Sequence, residues 1–261
     1  TGLMLKSAIL FAATSYFAWY LEQHETAMVY PFDTTYATPA DAGETRLSED
    51  RIQTEDGETL ILWRAQAAPH KPTILYFPGN AGGLKDRSQR FSKLLDQGFG
   101  LVAMSYRGSS GSGGSPDEDV LTNDAHAIAA LETARPLVLY GESLGTAIAL
   151  RVAAEGVGDA IVLEAPFTSF IDIVAAQYPR DDLGALLTQH WNSRAAARDI
   201  RQPLLVIHGD VDKVVPIALG LEIFEVAGSA DKDFLKVTGE GHRTLWTTDM
   251  KRRLFAFLDA R

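Results

Sequence analysis

A chain of 261 residues is long enough for one α/β core and short for an array of domains. Its 46% hydrophobic and 22% charged content is that of a globular protein, and a net charge of -10 argues against nucleic-acid partners, because an acidic surface repels phosphate. There is no cysteine, which excludes disulfides, thiolate metal sites, cysteine nucleophiles and S-acyl anchors.

Residues 1–22 are the first predicted element, an apolar helix. Gly2–Leu21 (GLMLKSAILFAATSYFAWYL) carries one charge, Lys6, and a helix of that length, at ~1.5 Å per residue, spans a hydrocarbon core of roughly 30 Å. Tyr16, Trp19 and Tyr20 gather at its far end, where amphipathic rings favour a membrane interface. A single-pass anchor is the leading expectation; a cleaved signal peptide and a helix packed on the domain are its competitors. Lys6 sits near the start of the segment, while Glu22, Glu25, Asp33, Asp41 and Glu44 follow it before the next basic residue, Arg46. Positive-inside bias therefore puts the N-terminus in the cytoplasm and the main domain in the periplasm or another extracytoplasmic space. Residues 23–47 are expected to be a linker, with Pro, Thr, Ala and Asp prominent in 31–45.

From about residue 48 to 261 strands alternate with helices. Two runs, 51–54 and 60–65, flank the turn signal Asp56-Gly57 and predict a hairpin. Apolar runs follow at 73–77, 101–105, 137–140, 161–164, 204–208 and 234–237, the pattern of strands buried on both faces. Helical stretches lie at about 84–97, 117–133, 144–155, 216–227 and 244–259. The expectation is a mostly parallel, doubly wound α/β sheet with an antiparallel start. Residues 167–200 separate two strands by more than one helix requires and are expected to form a small helical cap.

Gly141-Glu142-Ser143-Leu144-Gly145 follows a predicted strand and opens a predicted helix, the required context for a G-x-S-x-G nucleophile elbow. The glycines leave room for a strained turn that lifts the Ser143 hydroxyl out of the sheet edge. A helix-capping serine between glycine turns is the alternative. A serine hydroxyl needs a base, and the base needs a carboxylate to fix its tautomer. His242 lies past the end of the last strand, within Gly239-Glu240-Gly241-His242, in the expected chain order after the serine. Spacing leaves Asp210 and Asp212 both open as the acid.

Read together, PGNAGG (78–83), SYRGSSGSGGSP (105–116), GESLGTA (141–147), APFTSF (165–170), HGDVDKVVP (208–216) and GEGH (239–242) resemble α/β-hydrolases of the BEM46-like type, which are similar to the membrane-anchored ABHD serine hydrolases. The resemblance implies the α/β-hydrolase fold and maps the acid to Asp212, leaving Asp210 as an acceptor that steadies its loop. It also maps one oxyanion donor to the main-chain N–H of Asn80, with Pro78 standing where the family has histidine; the other donor is that of Leu144, the residue after the nucleophile.

The expected activity is carboxylic-ester hydrolysis through Ser143, His242 and Asp212, on short- to medium-chain acyl groups or a lipid-like ester. Phe167, Phe170, Tyr178 and Trp191, all in the cap, are candidates to line an acyl pocket, with core filling as the alternative. Acyl-protein or acyl-CoA thioesterase action, a peptidase and a non-catalytic membrane-anchored scaffold are the alternatives; the depalmitoylating relatives carry an N-terminal cysteine cluster that this chain lacks. No cofactor is expected, and no His-Glu-x-x-His or Cys/His cluster predicts a metal. The glycine-rich loop 107–116 lacks the Gly-Lys-Ser/Thr ending of a phosphate-binding loop.

Overall fold

Strands in this chain send alternate side chains to two separate apolar cores, and that alternation sets the architecture. A computed structural model describes residue 19, residues 24–177 and residues 187–261. Its strands are β1 (Ser48–Gln53), β2 (Thr59–Ala65), β3 (Thr73–Phe77), β4 (Gly100–Met104), β5 (Leu137–Glu142), β6 (Ala160–Glu164), β7 (Leu204–Gly209) and β8 (Lys232–Val237). Its helices are α1 (Ser88–Leu95), α2 (Glu118–Leu131), α3 (Leu144–Ala154), α4 (Phe170–Gln177), α5 (Ser193–Asp199), α6 (Ile217–Val226) and α7 (Thr248–Asp259).

The strands form one sheet in the order β1-β2-β4-β3-β5-β6-β7-β8. β1 and β2 pair antiparallel around the Asp56-Gly57 turn, β2 pairs antiparallel with β4, and every later pairing is parallel. Leu75, Phe77, Leu137 and Leu139 face a core shared with α2, α3, α5 and α6, while Ile74, Tyr76, Val138 and Tyr140 face a second core under α1 and α7. Helices on both faces explain why the central strands are apolar throughout.

The predicted elements meet the observed ones with small shifts. The helical stretch 84–97 divides into a 3-10 turn, Leu84–Arg87, and α1. The last helix starts at Thr248 rather than 244, because Thr247 caps it by accepting the Met250 N–H at 3.2 Å. α4 and α5 fall within the expected cap.

The described part of the expected linker packs on the domain instead of standing apart from it. Residues 24–29 are helical, and Val29, Tyr30 and Leu47 are buried. Phe32 bridges to Gly82, and the Glu25 carboxylate accepts N–H groups of Thr188 and Gln189 at 2.8 and 2.9 Å. Burial of those apolar side chains stabilises a segment whose Pro and Thr content reads as loop. Apart from Trp19, the expected apolar helix 1–22 lies outside the described residues; among the described residues no helix is long and apolar enough to cross a membrane.

Candidate active site

β5 ends at Glu142, and α3 begins at Leu144, so Ser143 must turn the chain in a single residue. It does so at φ 51° and ψ -112°, a strained conformation for a residue with a side chain. Its N–H donates to the Glu164 carbonyl at 2.8 Å, which anchors the turn to β6. The flanking glycines are required by contact: a Cβ on Gly141 would lie 2.4 Å from the Gly145 carbonyl oxygen, and one on Gly145 would lie 1.9 Å from that of Phe77. Ser143 occupies the N-cap position of α3 but its side chain makes no capping bond. The hydroxyl meets His242 instead.

His242 follows β8, and its Nε2 lies 3.0 Å from Ser143 Oγ. Its Nδ1 lies 2.7 Å from Asp212 Oδ2, on the loop after β7. The other carboxylate oxygen of Asp212 accepts the N–H groups of Val214 and Val215 at 2.8 and 2.9 Å. Burial pushes the Asp212 carboxyl up, but the His242 hydrogen bond and charge, with the Val214 and Val215 N–H groups, outweigh burial and hold it below the usual carboxylate range. An ionised carboxylate can only accept, so His242 Nδ1 carries a proton and Nε2 is left to accept from the serine. Asp210 does not reach His242; its Oδ1 accepts the Gly239 N–H at 2.7 Å and ties the two loops together.

His208 sits beneath this pair, fully buried, with Nε2 2.9 Å from the Val215 carbonyl and 3.6 Å from Asp212 Oδ2. Burial lowers its pKa, and its Nδ1 has no hydrogen-bond partner among the described residues, so it packs as a neutral ring. It steadies the loop that carries Asp212.

On the other flank, the carbonyls of Phe77 and Pro78 lie so close to Gly145 that the loop after β3 rests on the first turn of α3. Among the described residues no hydrogen bond uses the main-chain N–H of Asn80 or Leu144. The Asn80 side chain is engaged elsewhere, donating to the Val29 carbonyl at 2.9 Å. Pro78 contributes its carbonyl, which accepts the Tyr106 hydroxyl at 2.7 Å. Asn80, Ser143 and His242 line one cavity of about 530 Å³. The amino end of α3 aims partial positive charge at this place.

The cavity also exposes residues that the sequence did not single out: Arg87, Arg90, Glu142, Val214 and Arg243. Glu142 accepts from Arg87 and from the Tyr76 hydroxyl, and Glu164 accepts from Arg90, Tyr140 and Trp246. Burial raises the Glu142 carboxyl, but the charges of Arg87 and Arg90 overcome it and keep the group ionised well below the usual range. A signal for this network was present in the sequence. Two apolar strands, LVLYGE and AIVLE, each end in a glutamate, and a buried carboxylate needs cations. Nothing local said which arginines would supply them.

The cap aromatics are placed differently from the candidate acyl pocket. Phe167 and Trp191 fill the core, Trp191 donating its Nε1–H to the Tyr30 hydroxyl at 3.0 Å, and Phe170 packs half-buried against it. None of the three lines the cavity at Ser143, whose walls mix charged side chains such as Asp86, Arg90 and Arg243 with Ala81 and Val214; Tyr178 lies outside the described residues. Among the described residues, no group of three or more histidine and carboxylate side chains is arranged to hold a metal ion.

A family model described as serine aminopeptidase, S33, matches residues 68–193. An uncharacterized protein of Mycobacterium tuberculosis is 34% identical over 203 residues, covering 73% of this chain and 70% of its own length. Protein bem46 of Schizosaccharomyces pombe is 28% identical over 237 residues, covering 82% of this chain and 79% of its own. Lysophosphatidylserine lipase ABHD12 of Xenopus tropicalis is 32% identical over 198 residues, covering 67% of this chain; the chain spans 51% of that lipase. In fold, the chain is similar to an esterase of Pyrococcus furiosus, with a TM-score of 0.73 at 20% identity, covering 88% of this chain and 96% of the esterase.

Proposed function

The chain belongs to the BEM46- and ABHD-like α/β-hydrolases, and we propose that it hydrolyses carboxylic esters of short to medium acyl chains with Ser143 as nucleophile. The observation that carries this reading is the continuous chain of contacts from Ser143 Oγ to His242 Nε2 at 3.0 Å and from His242 Nδ1 to Asp212 at 2.7 Å, built on a strained elbow.

In the proposed reaction Ser143 Oγ attacks the ester carbonyl while His242 Nε2 takes its proton. Asp212 holds the imidazole in the correct tautomer and stabilises the cation that forms. The N–H groups of Asn80 and Leu144 receive the oxyanion, a contribution typically worth about 3–4 kcal/mol per donor. His242 then protonates the departing alcohol, and water repeats the sequence to release the acid. The charged side chains in the cavity wall favour an ester whose leaving group carries hydroxyl or charged groups, and the exposed Arg243 there supports a second reading, a lysophospholipid-like ester. Anchoring through Gly2–Leu21, with the hydrolase domain extracytoplasmic, belongs to the same proposal and is supported by the apolar run in the sequence.

The test is hydrolysis of p-nitrophenyl esters from C2 to C16, and of a lysophospholipid, by the full chain and by Ser143→Ala. A Ser143-dependent profile strongest at short to medium chains supports the first reading; one confined to the lysophospholipid supports the second. Equal activity in the variant would remove Ser143 from the mechanism.

A further inference from the structure

Arg87 and Glu142 form a partly buried ion pair at the cavity wall, and its partners join the two segments that carry the proposed oxyanion donors. Arg87 Nε donates to Glu142 Oε2 at 2.9 Å, and Arg87 Nη2 donates to Glu142 Oε1 at 3.1 Å. A two-pronged arrangement of this kind fixes direction as well as distance. The same guanidinium also grips the loop after β3. Its Nη1 donates to the Gly83 carbonyl at 3.0 Å, and its Nη2 approaches the Gly79 carbonyl at 3.4 Å. Those two carbonyls stand on either side of Asn80 in the chain, while Glu142 immediately precedes Ser143 and Leu144.

The fit leaves little slack. Glu142 is braced from behind by the Tyr76 hydroxyl at 2.6 Å. A Cβ on Gly79 would sit 3.3 Å from Glu142 Oε1 and 3.4 Å from Arg87 Nη2, so the loop lies directly on the pair. A buried ion pair is a weak source of net stability, because desolvation offsets most of the attraction. Its geometry is what distinguishes it here. The wider network balances Arg87 and Arg90 against Glu142 and Glu164, so it presents little net charge to the cavity.

We propose that Arg87 and Glu142 are positioning residues that hold the main-chain N–H groups of Asn80 and Leu144 at the separation an oxyanion requires. The proposal rests on the reading of Ser143 as nucleophile. The pair acts through the main chain. A misplacement of about 1 Å in such donors costs on the order of 100-fold in rate, whereas substrate affinity depends on it much less.

The experiment uses the full chain with p-nitrophenyl butyrate, and first compares the wild type with Ser143→Ala. Loss of activity there secures the nucleophile, so that a later failure belongs to the positioning pair alone. Retained activity in Ser143→Ala sinks the nucleophile and this proposal with it. Arg87→Lys, Glu142→Gln and Tyr76→Phe then follow, each checked for folding by thermal melting. In the first two, kcat should fall by roughly 10- to 100-fold with KM within about threefold, and Tyr76→Phe should fall less. The inhibition constant of an alkylboronic acid, which mimics the tetrahedral intermediate, should rise in step with the loss in kcat/KM. Glu142→Gln separates position from charge. It leaves Arg87 and Arg90 in excess beside the cavity, so a charge effect would speed the reaction where a lost clamp slows it. The proposal is overturned by unchanged kcat in the folded variants, by a rise in KM alone, or by faster turnover in Glu142→Gln. It is also overturned if all three variants fail to fold, which would make the pair a stability element.

Discussion

Two walls meet at Ser143, and different forces hold them. The loops after β7 and β8 are joined by the hydrogen bonds Asp212–His242 and Asp210–Gly239, the first loop is braced from within by His208 and by the N–H groups of Val214 and Val215, and the imidazole they present is partly exposed. The loop after β3 and the first turn of α3 are joined by main-chain packing at Gly145 and by the Arg87–Glu142 pair. In the proposed mechanism the first wall changes charge in every cycle, and the second only presents fixed dipoles. A wall that takes up a proton needs a partner that tolerates both charge states, and the ionised Asp212 does so. A wall of fixed dipoles gains most from rigidity, which close packing and a bidentate ion pair provide.

The largest way to break the first wall is to remove its base or its acid. His242→Ala should lower kcat by roughly 10⁴-fold or more, and Asp212→Asn by about 10³- to 10⁴-fold, each with an intact melting transition. Steady-state kinetics beside circular-dichroism melting would check both. Loss of fold in step with loss of rate would make the contacts structural instead.

Breaking the second wall is a matter of volume. Gly145→Ala pushes a Cβ to within 1.9 Å of the Phe77 carbonyl, so helix and loop must part. The expected cost is roughly 1–3 kcal/mol or more of stability, together with loss of activity. Denaturant unfolding would measure the first. A variant as stable and active as the wild type would show that this contact relaxes freely.

pH sharpens the comparison. Because Asp212 stays ionised below the usual carboxylate range, it should add no second proton to the acid limb, and log(kcat/KM) should fall there with a slope of about one. A slope of two would mean that the acid protonates as well. The second wall predicts a different acid effect, on stability. The folded pKa of Glu142 is depressed by Arg87 and Arg90, so its contribution is fully present above the unfolded value of about 4.3 and is lost as pH falls below it. Melting temperature should therefore drop below about pH 4, and Glu142→Gln should weaken that dependence.

The smallest expected effect is at Asp210. Asp210→Asn keeps a side-chain oxygen to accept the Gly239 N–H, so activity should remain within about threefold of wild type. A loss as large as that of Asp212→Asn would reverse the roles of the two residues.

Much of this architecture can be read in the sequence, for physical reasons. The strands β3 to β7 are continuous apolar runs because both faces are covered, and each run stands out from its polar surroundings. Gly141 and Gly145 mark the elbow because steric contact permits nothing larger. The choice of Asp212 over Asp210 needed the resemblance, since two aspartates two residues apart differ only in where the loop points them. The segment 24–47 misled because the composition of a loop does not reveal that Val29, Tyr30 and Leu47 find an apolar surface. Trp191 and Phe167 misled in the same way, since an aromatic in a cap serves a pocket or a core equally well until packing decides. Arg87 was invisible because its partner Glu142 is 55 residues away, and no local period joins a helical arginine to a distant strand end.

The most direct test of the central claim is covalent labelling with a fluorophosphonate, followed by peptide mapping of the adduct by mass spectrometry. The account predicts one adduct per chain, located on Ser143, formed quickly by the wild type, slowly by His242→Ala and not at all by Ser143→Ala. An unlabelled wild type, or an adduct on another residue, would contradict it.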